Sequence, residues 1–428
     1  MNLNIQDNQT KQNKVGYMNA CIRLILLSIL VCTVNTSGAT TPAVLTLGIH
    51  AQDPTHLQDA ASAGYKAIRL WDTETSWRDI QPNKGEWKLD YINEYVTEAE
   101  AAGLKVIWSI GNTPQWASAR PDEICPYGLG CGAEPSDIND WRNYVRTIAT
   151  KFKGRIECYE VWNEVNFPND PLFEPGDGGT PNGFFTGLVD DMVNLTRVAY
   201  EEIKRADPNA CVLSPSFHND GNWSLKFDKF LAAGGGKYID VVSQHFYVDP
   251  EPENAVVFIR EEKAVLAKYG LSNLPMWDTE VGNVFPDEAA IRPTLTIEDV
   301  VYSLVLRNYL IHASEGVSRV YWYGWDDEVW GLSDKATQFD FGSAAASAAI
   351  HLLDQLQTIN CQSKGKLWQC KVLAGGRKFK VVWVSGVNAR SQRVVLTGNA
   401  TRWGNIPRSF NAGQSINIDA RPVIINGW

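Results

Sequence analysis

The chain has 428 residues, 44% hydrophobic and 21% charged, an ordinary globular balance with enough apolar material for one large core or two smaller ones. Its formal net charge of −10, with no cluster of Lys and Arg, argues against a nucleic-acid partner, since that class draws affinity from concentrated positive charge. The 16 Trp and 15 Tyr are a heavy aromatic load, which core packing and stacking against sugar rings would share.

Residues 24–34 form an apolar run preceded by Lys11, Lys14 and Arg23, too short for a membrane span. Ser37-Gly38-Ala39 supplies the small residues of a signal-peptidase site, so residues 1–39 read as a secretory signal cleaved after Ala39, with Met18 as an alternative start. The competing reading is an uncleaved anchor. The expected location is secreted or periplasmic, with no stable membrane insertion after cleavage. Export permits disulfides among Cys125, Cys131, Cys158, Cys211, Cys361 and Cys370. Cys125 and Cys131 bracket a short Gly-rich loop and Cys361 and Cys370 a hairpin-sized one, so both bridges are expected. Cys158 and Cys211 stand near the starts of two consecutive strands and fit either a bridge or two small buried hydrophobes. No zinc spacing and no His-Glu-x-x-His occurs, so neither a metal nor an organic cofactor is expected.

From residue 44 to about 357, short apolar strands alternate with helical patterns eight times. The predicted strands are Val44–His50, Ala67–Trp71, Lys105–Ile110, Cys158–Glu164, Cys211–Ser214, Val241–Tyr247, Met276–Glu280 and Arg319–Trp325. Helices are predicted over 55–63, 89–102, 137–153, 184–206, 225–232, 253–269, 297–313 and 343–357. Ser136 marks a helix start, Gly154 a stop, and Thr296 with Asp299 a capping pair. Eight βα units imply an α/β fold closed as a (β/α)₈ TIM barrel over 40–358. After about residue 358 the pattern turns to strands, including Lys378–Val384, Arg393–Leu396 and Pro422–Ile425, which predicts a small C-terminal all-β subdomain over 359–428, sandwich-like and packed on the barrel, as a structural cap or, alternatively, a carbohydrate-binding module.

Barrel enzymes carry their reacting groups at the C-terminal ends of the strands. Glu164 ends the fourth predicted strand and Glu280 the seventh, and two facing carboxylates are the apparatus of glycoside hydrolysis. Arg69, at the end of strand 2, is placed to keep Glu280 ionised, and Tyr247 to donate to the same carboxylate. His245, two residues before Tyr247, shares its face. Trp71, Trp77, Trp116, Trp322, Trp325 and Trp330, at or beyond strand ends, are candidates to stack on sugars, whereas Trp141 lies on the apolar face of a helix and is core.

Asn163-Glu164, His245-x-Tyr247, Thr279-Glu280 and a Trp-bearing strand 8 together resemble the clan of retaining (β/α)₈ glycoside hydrolases. The strings Trp162-Asn163-Glu164-Val165-Asn166 and Trp277-Asp278-Thr279-Glu280-Val281-Gly282 look most like glycoside hydrolase family 39. The resemblance implies Glu164 as acid/base, Glu280 as nucleophile and Asn163 as the group that binds the sugar 2-hydroxyl. Val165 stands where family 39 xylosidases carry Pro. Arg69-Leu70-Trp71-Asp72, Trp77-Arg78-Asp79-Ile80 and Asn112-Thr113-Pro114-Gln115-Trp116-Ala117 look closer to the bacterial exopolysaccharide endoglycosidases. The expected function is a retaining endoglycosidase, monomeric, acting on an exopolysaccharide or β-glycan. A β-xylosidase, a family 5-like endoglucanase or mannanase, a transglycosylase, and a non-catalytic carbohydrate-binding protein are the alternatives.

Overall fold

A computed structural model describes residues 45–174, 176–179, 182–283, 291, 293–327, 331–332 and 341–427. Residues 1–39, expected from the sequence as a secretory signal, and Trp330 lie outside them. Eight short apolar segments pair in parallel: β1 (Thr46–Ile49), β2 (Ala67–Leu70), β3 (Lys105–Ile110), β4 (Cys158–Val161), β5 (Cys211–Leu213), β6 (Val242–Gln244), β7 (Met276–Val281) and β8 (Arg319–Trp322). The hydrogen-bonded order is β5-β4-β3-β2-β1-β8-β7-β6. Parallel bridges at Leu213↔Val241 and His218↔His245 join β5 to β6 and close the ring. This is the predicted (β/α)₈ barrel.

Eight helices occupy the predicted intervals: α1 (Leu57–Ala63), α2 (Asp90–Ala101), α3 (Ile138–Lys151), α4 (Val189–Ala206), α5 (Trp223–Ala232), α6 (Ala255–Lys268), α7 (Ile297–Ser314) and α8 (Gly342–Leu352). The capping pair forms at α7, where Thr296 Oγ1 accepts from the Asp299 N–H at 3.1 Å and the Asp299 carboxylate accepts from the Thr296 N–H at 3.2 Å. At α3 the cap is Asp137, which accepts from the Asn139 N–H at 2.9 Å, and not the predicted Ser136. Gly154, at φ 77°, turns the chain after α3 in the left-handed conformation that a side chain resists.

The barrel interior is filled by side chains. Its lower layer is apolar, with Ala67, Ile107, Cys158, Leu213, Val241, Trp277 and Tyr321 forming one cluster. Gly48 on β1 leaves the room that the Tyr321 ring occupies, since a Cβ there would stand 2.3 Å from the ring. Cys158 and Cys211 face each other in register on β4 and β5 and are bonded, which decides the open question. Cys125–Cys131 and Cys361–Cys370 are bonded as predicted.

Strands β9 (Leu356–Lys364), β10 (Leu367–Ala374), β11 (Arg377–Val384), β12 (Gln392–Val395), β13 (Ala400–Arg402), β14 (Arg408–Phe410), β15 (Ser415–Ile418) and β16 (Val423–Asn426) build the C-terminal region. Six of them form the antiparallel sheet β9-β10-β11-β16-β13-β14, and β12 pairs with β15. The all-β region thus starts at Leu356, where the last predicted helix was still running. It docks on α7, which is buried on every side from Val300 to Ala313 because the barrel covers one flank and the sheet another. Trp403 donates to the Tyr302 carbonyl at 2.9 Å and Ser303 to that of Ala420 at 2.6 Å, while on the barrel side the Tyr309 ring meets Trp322 edge-on.

Candidate active site

β2, β4 and β6 deliver one polar layer above the apolar floor. Arg69 is wholly buried and reaches three acceptors: Glu160 at 2.5 and 2.8 Å, Glu280 at 2.7 Å and the Asn163 side-chain oxygen at 2.6 Å. Glu160, also wholly buried, takes further donors from Ser243 at 2.5 Å and Thr279 at 2.7 Å. Burial works against its charge, but Arg69, with His245 and the two hydroxyls, outweighs it and holds this carboxyl below the usual range. The sequence reading missed Glu160. Its signal is the alternation of β4, in which Cys158 and Glu160 share the interior face.

Glu164 and Glu280 stand above this layer. A carboxylate oxygen of each, together with a ring nitrogen of His245, lies within 4.8 Å of the others. Glu280 accepts from Arg69 on Oε2 and from the Tyr247 hydroxyl on Oε1 at 2.9 Å. Glu164 has no such cation: Oε1 lies 3.0 Å from His245 Nδ1, and its backbone N–H donates to Ser216. Burial raises the Glu164 carboxyl, with His218 and Arg69 opposing and Asp72 and Asp220 adding to the rise. Burial raises Glu280 as well, against the pull of His245 and Arg69, and Glu164 raises it further. Two such neighbours titrate as a pair, and the donors on Glu280 make it the member that carries the charge. His245 is driven down to about 4, first by burial and against the attraction of Glu280, so it is neutral at pH 7.

Local backbone explains the placement. β4 ends at Val161, not at Glu164 as predicted, and Trp162 and Glu164 follow with φ of 76° and 42°. That break turns Trp162 outward onto Trp141 and Phe185 while Asn163 reaches Arg69. On β7, Val320 pairs with Asp278 and Trp322 with Val281, so Thr279 and Glu280 together oppose Tyr321. This bulge lets consecutive residues both point inward. Asp72, Glu74 and Asn112 also have positive φ, so most of the strained non-glycine positions lie just past β2, β3 and β4.

A cavity of about 340 Å³ surrounds the pair, walled by Trp71, Tyr127, Phe184 and Tyr323. Asp72 receives the Tyr127 hydroxyl and, at 2.8 Å, that of Tyr323. A second cavity of about 220 Å³ shares Trp71, Asp72 and Tyr127 with the first. A third, of about 380 Å³, shares Glu164, Phe184 and His218. Of the predicted stacking residues, Trp71 lines this cleft. Trp322 and Trp325 do not: both are buried, Trp322 against α7 and Trp325 against Tyr65. The alternation of β8 places Tyr321 and, just past the strand, Tyr323 inward and Trp322 outward, so it is Tyr323 and not a tryptophan that lines the cleft from this unit. Trp77 is wholly buried, and Trp116 packs edge-on against it with Nε1 donating to the Gln81 carbonyl at 2.9 Å.

Glu164, His245 and Glu280 are the one group of three donors among the described residues close enough to hold a metal ion. The Arg69 guanidinium, 2.7 Å from Glu280, already supplies the positive charge there, which disfavours a second cation.

A parallel eight-stranded barrel with two carboxylates at its mouth has the form of the (β/α)₈ glycoside hydrolases, and in fold the chain resembles family 39 among them. A family 39 glycoside hydrolase from Bacteroides cellulosilyticus WH2 superposes with a TM-score of 0.64 over 90% of this chain and 81% of its own, at 17% identity. The family 39 enzyme of Xanthomonas axonopodis pv. citri superposes with a TM-score of 0.60 over 91% and 96%, at 15% identity. In sequence, a beta-xylosidase of Geobacillus stearothermophilus is 25% identical over 205 residues, 44% of this chain and 38% of that protein. An endo-1,4-beta-xylanase A of Thermotoga neapolitana is 26% identical over 144 residues, 33% of this chain and 12% of that protein. The matches thus span well under half the length of these two curated relatives. No family model matches the chain.

Proposed function

We propose that this chain is a retaining glycoside hydrolase. The observation that carries the reading is the approach of Glu164 and Glu280 to within 4.8 Å, close to the roughly 5–5.5 Å of retaining pairs and short of the ~6.5–9.5 Å that inverting enzymes leave for water. Glu280, ionised by Arg69 and Tyr247, attacks the anomeric carbon. The glycosidic C–O bond breaks as protonated Glu164 gives its proton to the leaving oxygen. Water then attacks the glycosyl ester, Glu164 takes the water's proton, and the bond to Glu280 breaks. Neutral His245, with its proton on Nδ1, donates to Glu164 Oε1 at 3.0 Å and holds the carboxyl in place, which leaves the acid proton on Oε2 for the leaving oxygen. Asn163, its oxygen taken by Arg69, keeps its amide N–H groups for the sugar 2-hydroxyl.

The substrate is a β-glycan or exopolysaccharide cleaved internally. Support comes from the two further cavities, which adjoin the central one on the Trp71 and Glu164 sides and give a polymer room to continue. The matches to a beta-xylosidase and an endo-1,4-beta-xylanase favour, as the second reading, a xylose-containing substrate. The three disulfides favour an oxidising compartment, secreted or periplasmic, and the protein acts as a monomer. No helix among the described residues is long and apolar enough to cross a membrane.

The test is hydrolysis of an aryl glycoside by the purified protein, followed by NMR at the anomeric carbon. Retention is expected and inversion would overturn the mechanism. Glu280→Gln should lower turnover by more than about 10³-fold, and Glu164→Ala should spare an activated aryl leaving group while losing about 10²–10⁴-fold on a glycan. Full activity of Glu280→Gln would remove its role as nucleophile.

A further inference from the structure

The C-terminal sheet carries a feature that the barrel chemistry does not use. Arg402 on β13 and Arg408 on β14 are directly opposed partners in the antiparallel register, so two guanidinium groups share one face of a short ladder. Like charges so placed destabilise a sheet unless something neutralises them. The aromatic ring of Phe410 lies 5.5 Å from the guanidinium carbon of each. A third arginine, Arg421, stands beside them. It is already committed, to Asp419 at 2.6 Å and to Asp299 at 3.3 Å.

Arg402 and Arg408 have no carboxylate partner among the described residues. Arg402 donates through Nη2 to the Asn417 carbonyl at 2.6 Å, and its Nε is buried with no hydrogen-bond partner. Burial, with Arg421 and Arg408 nearby, makes its charged form harder to hold, and Asp419 compensates only in part. A cavity of about 370 Å³ opens at this point, lined by these arginines with Phe410, Asn417 and Asp419. That is within the roughly 300–1,000 Å³ of small-ligand sites. A buried donor without an acceptor costs free energy, and like charges held directly opposite each other across a ladder repel. Both costs vanish if one oxyanion enters the cavity and accepts from the two forks.

We propose that this cavity is a binding site for the carboxylate of an acidic saccharide, a uronate unit carried on a glycan chain. Two unpaired guanidinium groups match one carboxylate in charge and planar geometry, and Asn417 offers an amide to ring hydroxyls. The site is independent of the barrel pair, so its test leaves the proposed hydrolysis aside.

Thermal unfolding and calorimetric titration of the intact protein would be run with oligogalacturonate, with a neutral xylo-oligosaccharide of equal length, with inorganic sulfate and with single-stranded DNA. The acidic oligosaccharide should raise the melting temperature and bind in a salt-sensitive manner, and the neutral one should do neither at this site. Arg408→Gln, at an exposed position, should abolish that shift while itself unfolding no earlier than the parent, because it removes a like-charge pair. Turnover of a small aryl glycoside should be unchanged in this variant. Oligogalacturonate binding that survives Arg402→Gln combined with Arg408→Gln would overturn the proposal, as would equal response to the neutral oligosaccharide. Response to sulfate or DNA with none to oligogalacturonate would overturn the saccharide assignment.

Discussion

Nη1 of Arg69 lies 2.7 Å from Oε2 of Glu280, and the same guanidinium closes on Glu160 beneath it. One buried cation therefore serves two carboxylates, of which Glu160 is fully enclosed and Glu280 faces the cleft. The lower ion pair anchors Arg69 so that its upper edge is fixed where Glu280 needs a positive neighbour.

Arg69→Met should be destabilising by about 3–5 kcal/mol, since it leaves Glu160 buried without its cation. Arg69→Lys should fold but lose the forked geometry, weaken the hold on Glu280, and move the acid limb of the kcat/KM profile to higher pH. Urea unfolding and a pH–rate profile check the two, and an unmoved acid limb in Arg69→Lys would count against its control of Glu280.

His245 makes stability depend on acid. Its folded pKa of about 4 lies below the ordinary value of 6.5, so the unfolded chain binds the proton first. Stability is therefore intact above pH 6.5 and falls as the pH drops from there towards 4, by up to about 3 kcal/mol from this group. Urea unfolding at pH 7 and pH 5 should show the loss, and His245→Gln should show a shallower one.

Glu262 on α6 acts in the opposite sense. Burial lifts its carboxyl well above 4.5, and Asp278 lifts it further, so the folded protein keeps it neutral beside Gln244. Stability from this group is full below pH 4.5 and declines as pH rises, because only the unfolded chain can then ionise it freely. Glu262→Gln should raise stability at pH 7 by on the order of 1 kcal/mol and leave it unchanged near pH 4. A loss at pH 7, measured by urea unfolding, would mean that the carboxyl is charged in the folded state.

The Cys158–Cys211 bond spans 53 residues and joins β4 to β5 beneath the buried polar layer of Arg69 and Glu160. Cys158→Ala combined with Cys211→Ala should cost about 2–5 kcal/mol in unfolding free energy. Equal stability of the parent with and without reductant would indicate that the bond does not form.

Much of the scaffold is legible in the sequence, because each βα unit announces itself through a change from a short apolar run to a 3.6-residue period. The capping pair at Thr296 and the flanking cysteines at 125/131 and 361/370 are signals of the same local kind. Trp322 and Trp325 show the limit. Their position at a strand end was readable, but which way each side chain turns depends on the register of β8 against β1 and β7, and that alternation sent Tyr323 to the cleft instead. Glu160 was hidden for the same reason: only the closed barrel brings it under Arg69, Ser243 and Thr279.

The order of the βα units is written in the chain, and with it the appearance of Glu164 at the end of the fourth predicted strand and of Glu280 in the seventh. Their meeting is a property of the folded barrel. A left-handed turn at Trp162 and Glu164 and a one-residue bulge at Thr279–Glu280 aim the two carboxylates at one space. Both are departures from regular strand geometry, which local propensity does not encode and which the packing of neighbouring strands and helices holds in place.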